Sequence, residues 1–167
     1  MIPLQQVIER YAPLSRDEFT QKVRCDWLVT DSEHQSSSEE AATVVFQTKQ
    51  ALEKAAPESD QNMVLAYPII KRSVGETSDI ITLGRASSND IVIQDGSISK
   101  VHAYFGWDSR QQRRTICDLN STNGTYLNQE KLIPNLAYLL KTGDQLILGR
   151  LSLTYYTPRS FYNVFLS

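Results

Sequence analysis

The pattern of apolar and polar positions changes character near residues 57–62. Before that point, one set of apolar residues recurs at i, i+3, i+4 and i+7 and predicts one face of a short helix: Leu4, Val7, Ile8 and Tyr11. Ser15 and Glu18 have the spacing of a capping box, in which a hydroxyl and a carboxylate satisfy free amides at a helix start. Phe19 and Val23 give this second helix an apolar edge.

The remainder of the N-terminal part has weaker signals. Residues 27–29 and 44–46 are short apolar runs that predict strands. Residues 31–40 are acidic and rich in serine, which is typical of an exposed loop. Residues 50–56 predict a turn or two of helix, and residues 57–62 predict a linker.

From residue 63 onward the pattern is that of an all-β domain. Short apolar runs that predict strands recur at close spacing: 63–70, 80–83, 91–93, 102–107, 115–119, 125–127, 138–140, 145–148 and 151–156. Turn-forming sequences rich in Gly, Asn, Asp and Ser separate these runs. Such a series predicts a sandwich or barrel, and no strand–helix rhythm favours a parallel α/β fold.

Three parts follow from these patterns. Residues 1–58 form a mostly helical extension, residues 63–157 form the β-sandwich domain, and residues 158–167 form a C-terminal tail. The apolar positions of the extension are too many to leave in water and too few for a core of their own. We expect the extension to dock on the sandwich. Two alternatives stay open: a partner-binding arm that is disordered until bound, and a segment whose phosphorylated threonine, such as Thr30, binds another copy of the chain.

Composition narrows the class of protein. The chain has 167 residues, of which 41% are hydrophobic and 22% are charged, and its formal net charge is −2. This balance argues against a dedicated nucleic-acid binder, which carries a basic excess.

The start of the chain has no basic region followed by an apolar run, and no stretch approaches the length of a membrane span, so we expect neither a secretory signal nor a membrane partner. Cys25 and Cys117 lie far apart, which favours reduced thiols and a cytoplasmic location.

Several loop residues together have the chemistry of a phosphate site. The predicted inter-strand loops carry a guanidinium, an ammonium, hydroxyls and an amide: Arg85, Ser99, Lys100, Thr122 and Asn123. A guanidinium fork binds two phosphate oxygens, and hydroxyls and loop amides satisfy the remaining lone pairs. Each signal is weak by itself, because an arginine after a glycine is usually a solvated residue and Asn-Gly is a strong hairpin dipeptide.

Four blocks of sequence resemble the forkhead-associated (FHA) domain family. They are Ile-Thr-Leu-Gly-Arg at 81–85, Asn-Asp-Ile-Val-Ile at 89–93, Ile-Ser-Lys-Val-His-Ala at 98–103, and Asp-Leu-Asn-Ser-Thr-Asn-Gly-Thr-Tyr-Leu-Asn at 118–128. The blocks have the order of the family and a spacing close to it. The resemblance spans about residues 63–157. It implies a β-sandwich of about eleven strands whose loops recognise phosphothreonine in an extended peptide.

The resemblance also implies a role for each residue of the site. Arg85 should contact the phosphate directly, and Ser99 and Thr122 should donate their hydroxyls to it. Lys100 holds a position that often carries a basic or amide side chain beside the phosphate. Asn123 should form a hydrogen bond with the peptide backbone near the phosphothreonine.

Four further residues are expected to support the loops. In the family, the histidine that matches His102 braces the loop that presents the serine. Gly84 and Gly124 should serve the backbone through close approach or a positive φ, and Asn128 should brace a loop. Gln129 departs from the family, which often has glycine there.

The loop that leads to Ser99 bears on peptide choice. In the family, residues 94–99 help to select the residue three positions after the phosphothreonine. Here Asp95 is the single charged residue before Ser99, and Ser97 occupies the place expected to matter for that choice.

Other functions are less well supported. Ser99 and His102 would suggest a nucleophile and a base, but a strand start does not bring i and i+3 side chains together. The soft ligands are too scattered for a metal site, so we expect no enzyme, metal or cofactor. Residues 110–114 form a basic run without aromatic residues between the cations, which is typical of a solvated hairpin tip and does not indicate nucleic-acid binding.

The sequence therefore predicts a phosphothreonine-recognition adaptor in Ser/Thr-kinase signalling. Its expected partner is a phosphothreonine-containing protein, a kinase or a kinase substrate. The alternative is an FHA-like interaction domain that binds an unphosphorylated partner or assembles through its N-terminal segment.

Overall fold

The computed structural model describes residues 1–31, 63–72 and 79–167. In chain order the elements are β1 (Ile2–Pro3), α1 (Leu4–Tyr11), α2 (Arg16–Lys22), β2 (Trp27–Thr30), β3 (Leu65–Pro68), β4 (Ile81–Gly84), β5 (Ile91–Val92), β6 (Ala103–Asp108), β7 (Arg113–Asp118), β8 (Thr125–Leu127), β9 (Glu130–Lys131), β10 (Ala137–Leu139), β11 (Gln145–Leu148), β12 (Leu151–Tyr156) and α3 (Pro158–Phe165). The strand predicted for 44–46, the turn or two of helix predicted for 50–56 and the linker predicted for 57–62 lie outside the described residues. The same holds for the loop predicted for 31–40, apart from residue 31.

The strands form two sheets that pack as a sandwich. Sheet A has the order β1-β3-β2-β12-β11-β8-β9, and sheet B has the order β10-β7-β6-β4-β5. All described pairs are antiparallel except β4 and β5, which are parallel. Apolar side chains from both sheets, among them Leu28, Leu83, Phe105, Leu146 and Leu153, meet in the main core. The predicted all-β sandwich with a helical N-terminal part is thus confirmed.

A second core lies on the outer face of sheet A. Phe19 of α2 and Phe161 of α3 are fully buried there, and their rings stack with centroids 6.1 Å apart. Phe161 also stacks on Trp27 of β2, at 4.9 Å. The helices therefore cover the sheet face that does not contact sheet B.

The four residues of β2 are buried because both faces of the strand are covered. Leu28 points into the main core, and its neighbours Trp27 and Val29 point toward the helices. β2 lies between β3 and β12, so the N-terminal extension contributes an inner strand to the sandwich in addition to packing on its face. The predicted capping box is present: the Ser15 hydroxyl accepts a bond from the Glu18 amide, and Glu18 accepts from the Ser15 amide.

Thr30 was the wrong candidate for a phosphorylated threonine. It is the last residue of β2 and is buried, and its hydroxyl accepts a hydrogen bond of 2.8 Å from the Leu65 amide. A kinase needs an extended, accessible segment, and an inner strand is already paired on both sides.

Residues 158–167, which were predicted to form a C-terminal tail, include helix α3. Phe161 and Phe165 are four residues apart, the spacing of one helix face, and both belong to the second core. None of the helices among the described residues has the length and hydropathy needed to cross a bilayer.

The basic run at 110–114 divides into two parts. Arg110 is exposed in the β6–β7 turn, as expected of a hairpin tip. Arg113 and Arg114 are half-buried: two nitrogens of Arg113 donate to the Leu140 carbonyl, and Arg114 Nε donates to Asp26 at 3.0 Å. The prediction of a solvated tip is therefore wrong for these two residues.

Both cysteines are free thiols. Burial, and then the charge of Asp26, raises the pKa of the Cys25 thiol to about 11. The thiol is therefore protonated at neutral pH and a poor nucleophile.

Candidate functional site

Strand register brings three loops to one edge of sheet B. Leu83 pairs with Ala103, and Ala103 pairs with Asp118, in successive antiparallel ladders. The end of β4, the start of β6 and the end of β7 therefore lie side by side. Arg85 follows β4, the loop 93–102 precedes β6, and the loop 119–124 follows β7.

Ser99 and Thr122 join two of these loops directly. The Ser99 hydroxyl accepts a hydrogen bond of 3.0 Å from the Thr122 amide. The same hydroxyl lies 3.3 Å from Thr122 Oγ1 and donates to it. Two hydroxyls and one amide thus converge on one point. Because hydroxyl hydrogens rotate freely, both can turn toward an acceptor that arrives from solvent.

Arg85 is held beside this point by the Ser99 loop. Its amide donates to the Ser99 carbonyl at 2.9 Å, and its Nε donates to the Ile98 carbonyl at 3.1 Å. The side chain is otherwise exposed, and toward the described residues its two Nη groups form no hydrogen bonds. The guanidinium is therefore oriented in advance, with its terminal donors available for an anion.

The end of β4 and the loop before β6 approach each other closely at Gly84 and Lys100. A Cβ atom on Gly84 would lie 2.4 Å from the Lys100 carbonyl oxygen, so a larger residue would push the loop away. That carbonyl accepts from the Ala86 amide at 3.0 Å and from Asn89 Nδ2 at 2.7 Å. The Lys100 side chain is exposed beside Ser99 and adds a positive charge to this edge.

His102 is fully buried beneath the loops. Its Nδ1 accepts from the Ser99 amide at 3.1 Å, and its Nε2 lies 3.2 Å from the Gly124 carbonyl. These contacts require the neutral tautomer that carries its hydrogen on Nε2. Burial lowers the pKa of His102, although the nearby Asp118 carboxylate and the Gly124 carbonyl oppose this effect. The imidazole thus ties the loop of Ser99 to the loop of Thr122.

The His102 imidazole is not placed to act as a base for the Ser99 hydroxyl. His102 is bonded to the Ser99 amide, and the Ser99 hydroxyl is bonded to Thr122. Among the described residues there is no cluster of three or more His, Cys, Asp or Glu placed to hold a metal ion.

Asp118 is a brace that the sequence reasoning missed. Its carboxylate accepts from the Ser121 hydroxyl and from the Thr125 hydroxyl, each at 2.6 Å, and from the Ser121 amide at 3.0 Å. Burial acts to raise the pKa of Asp118, but the hydrogen bonds from Ser121 and Thr125 outweigh it and lower the pKa below its usual value. The residue was visible in the fourth sequence block, where an acid precedes a turn rich in donors.

Asn123 and Ser97 connect the Thr122 loop to its neighbour. Asn123 is exposed, and its Nδ2 donates to the Ser97 carbonyl at 2.7 Å. Ser97 itself is buried, and its hydroxyl donates to Asp95 at 2.6 Å and accepts from the Arg150 amide at 3.0 Å. The side chain of Ser97 is therefore engaged within the loops.

The turn after Thr122 has a left-handed backbone. Gly124 has a φ of +80°, and a Cβ there would lie 2.8 Å from Cε of Lys131. Lys131 is a further cation near the site that the sequence reasoning missed, because its place depends on the short β8–β9 hairpin.

Asn128 and Gln129 form the two-residue turn of that hairpin, with φ of 49° and 73°. Asn128 Nδ2 donates to Asp144 at 2.9 Å, and its Oδ1 accepts from the Gln145 amide at 3.0 Å. Its side chain therefore holds the β8–β9 turn against the start of β11.

Residues 81–149 match the family model of the FHA domain. This segment is identified as an FHA domain. This match confirms the family that the four sequence blocks indicated, and all five predicted ligand residues, Arg85, Ser99, Lys100, Thr122 and Asn123, lie within the matched range.

Two curated proteins align with part of the chain. The oxoglutarate dehydrogenase inhibitor of Corynebacterium glutamicum is 34% identical over 74 residues, which are 44% of this chain and 48% of the relative. The glycogen accumulation regulator GarA of Mycobacterium tuberculosis is 32% identical over 78 residues, which are 47% of this chain and 45% of the relative. The chain thus spans about half the length of these curated relatives.

A solved structure concerned with phosphothreonine-dependent FHA domain interactions also aligns. It is 25% identical and covers 56% of this chain and 84% of its own, with a TM-score of 0.45.

Proposed function

We propose that this FHA domain binds phosphothreonine in an extended segment of a partner protein and serves as a non-enzymatic adaptor in Ser/Thr-kinase signalling. The observation that carries the proposal is the junction of Ser99 with Thr122, where two hydroxyls and an amide converge within 3.3 Å. Arg85 is anchored to the same loop by two hydrogen bonds.

A phosphate dianion matches these donors. In the proposed complex the terminal nitrogens of Arg85 contact two phosphate oxygens, and the hydroxyls of Ser99 and Thr122 turn from each other toward the anion. The Thr122 amide and Lys100 supply the remaining donor and positive charge. Charge-assisted hydrogen bonds contribute roughly 1.5–3 kcal/mol each, so several that converge would make binding depend on the phosphate.

Asn123 is the proposed contact to the peptide backbone. Its Nδ2 is occupied by the Ser97 carbonyl, so Oδ1 is the atom available to accept from a peptide amide. Fixing one end of the amide group also fixes the direction of the other. A peptide would therefore be held in one register relative to the phosphate.

The proposed partner is a Ser/Thr kinase or one of its substrates. The relatives support a regulatory role, since two of them are named as an inhibitor and as a regulator. Free Cys25 and Cys117 fit a reducing, cytoplasmic compartment.

Calorimetric titration tests the proposal. A phosphothreonine peptide selected from a degenerate library should bind with a Kd of roughly 1 μM, near −8 kcal/mol, and the unphosphorylated peptide should give no measurable heat. Arg85→Ala should abolish binding. Arg10→Ala, which removes an exposed arginine on α1, is the matched control and should bind normally. Equal affinity for the two peptides would overturn the proposal and favour a domain that recognises an unphosphorylated partner.

A further inference from the structure

A groove lies at the end of the β6–β7 hairpin opposite the phosphate loops. Its volume is about 670 Å³, and its lining includes Arg24, Trp107, Arg113, Lys141 and Tyr155. β6 begins after His102 and reaches Trp107 near its far end. At about 3.3 Å per residue, the groove lies roughly 16 Å along the strand from the phosphate site.

The lining of the groove is strongly positive. It carries four cations, Arg24, Arg113, Arg114 and Lys141, against the single carboxylate of Asp26. Arg114 pairs with that carboxylate at 3.0 Å, which leaves the other three cations without an anionic partner among the described residues. The chain as a whole has a formal net charge of −2. The groove therefore differs in sign from the rest of the molecule and would attract an anionic partner.

An aromatic side chain stands at the rim and is held in place. Trp107 is 46% exposed, and the Arg114 guanidinium lies 5.5 Å from the centre of its ring. Arg114 is in turn fixed by Asp26. Tryptophan and arginine are the residues that most often dominate protein interfaces, and an ordered side chain loses little entropy when a partner binds.

The floor of the groove is apolar. Leu140 and Tyr155 are buried, and Pro158 begins helix α3 at one side. The apolar floor can take one apolar side chain of a partner polypeptide. The surrounding cations fit carboxylates that lie before and after that side chain in the partner's sequence. A bilayer surface is flat and cannot enter a concave slot.

We propose that this groove is a second docking site, which binds an acidic polypeptide segment of a partner through an inserted apolar side chain. Carboxylates of the segment contact Arg24, Arg113 and Lys141, and its apolar side chain lies between Trp107 and Leu140. The site is separate from the phosphate loops, shares no residue with them and does not depend on phosphorylation.

Fluorescence anisotropy with a labelled peptide tests this proposal on the full chain. The probe is acetyl-Glu-Glu-Asp-Phe-Asp-Glu-Glu-amide. We expect saturable binding that weakens several-fold as NaCl rises from about 50 mM to about 300 mM, because exposed charges are screened at that ionic strength. A peptide with glycine in place of phenylalanine, and one with lysine in place of each acid, should bind at least about fivefold more weakly.

Paired variants locate the contact. Lys141→Glu and Trp107→Ala change exposed side chains and should each weaken probe binding by about fivefold or more, with normal binding of a phosphothreonine peptide. Arg10→Glu reverses a charge outside the groove and should leave probe binding unchanged. Arg85→Ala should abolish phosphopeptide binding and leave the acidic probe bound, which separates a failure of this proposal from a failure of the phosphothreonine function.

Several results would contradict this proposal. Absence of saturable binding at low salt, or binding that Lys141→Glu and Trp107→Ala leave intact, would overturn the proposal. Anionic phosphatidylserine vesicles and single-stranded oligo-dT test for other classes of ligand. If either binds more tightly than the peptide and loses binding in the same variants, the groove belongs to that class of ligand, and the proposal is overturned. Shifts of the Trp107 indole resonance on peptide addition would support it.

Discussion

The Ser99 hydroxyl accepts a hydrogen bond of 3.0 Å from the Thr122 amide, although 23 positions of sequence separate the two residues. This bond connects the loop before β6 to the loop after β7. It also places the hydroxyls of both residues at one point, and the proposed phosphate site is built around that point.

Replacing Ser99 with alanine should weaken phosphopeptide binding by at least about tenfold, or roughly 1.4 kcal/mol. The change removes one donor to the phosphate and the acceptor that orients Thr122. Calorimetry measures the effect. Ser109→Ala, at an exposed position of the β6–β7 turn, is the matched control, and a loss of affinity as large as in Ser99→Ala would show that the effect is not local.

The buried His102 should make stability depend on pH. Burial lowers the pKa of His102 in the folded protein, so the unfolded chain binds a proton more readily. Stability from this residue is fully present above the ordinary histidine pKa of about 6.5 and declines as pH falls from there through the folded-state pKa. Urea unfolding between about pH 7.5 and pH 5.5 measures the slope, since this range spans the ordinary value.

His102→Ala should lose that histidine-dependent slope and lower the free energy of unfolding by about 2–4 kcal/mol, through two lost hydrogen bonds and a cavity. The bracing role is contradicted if the variant keeps its stability and yet fails to bind phosphopeptide, because His102 would then be a ligand.

Gln129→Gly should stabilise the domain by about 1 kcal/mol, because glycine adopts a left-handed backbone without the steric cost of a side chain. Gln129 has a φ of 73° and follows Asn128 in a two-residue hairpin turn. Thermal unfolding measures the gain. Gln111→Gly, at an exposed turn position that lacks a positive φ, should lower stability slightly, and equal gains in both variants would refute the backbone explanation.

A chain that begins at Gln61 should fail to fold cooperatively. It lacks β2, and β3 and β12 then lose the strand between them. In the full chain, Phe161→Ala should cost about 3–5 kcal/mol, whereas Val164→Ala on the exposed side of the same helix should cost little. Circular dichroism melting measures each change, and an unaltered transition in the truncated chain would show that the extension is dispensable.

Phosphothreonine should bind several-fold more tightly than phosphoserine. The two differ by one methyl group, and its burial contributes roughly 0.8 kcal/mol. The β-branched side chain also has fewer rotamers to lose on binding. Titrations with matched peptides measure the ratio, and equal affinities would show that the methyl group is not buried in the complex, without affecting the dependence on phosphate.

Strong local patterns predicted most of the elements. The predicted runs at 125–127, 145–148 and 151–156 have the same bounds as strands β8, β11 and β12. The capping box at Ser15 was also predicted correctly, because its bonds join residues three apart. The two-residue strands β1 and β9 were not predicted, since so short a pairing has no periodicity of its own.

Loop chemistry was harder to assign. The sequence did not indicate that Ser97 is buried. It is buried because the loop after β11 packs on it: a Cβ on Gly149 would lie 2.5 Å from the Ser97 carbonyl oxygen. Arg113 and Arg114 looked like a solvated run, yet Leu140 and Asp26 hold them. Their partners come from distant parts of the chain, which a local pattern does not reveal.

The sequence by itself determined the all-β domain, its family and the residues proposed to bind phosphate, because alternation, turn chemistry and motif order are local properties. The tertiary structure alone decided that β2 is an inner strand, that Thr30 is buried, and that Arg24, Trp107 and Lys141 line one groove. The physical reason is that burial and charge clustering depend on which surfaces meet. Those surfaces belong to segments far apart along the chain, and only the pairing of the strands and the packing of the helices bring them together.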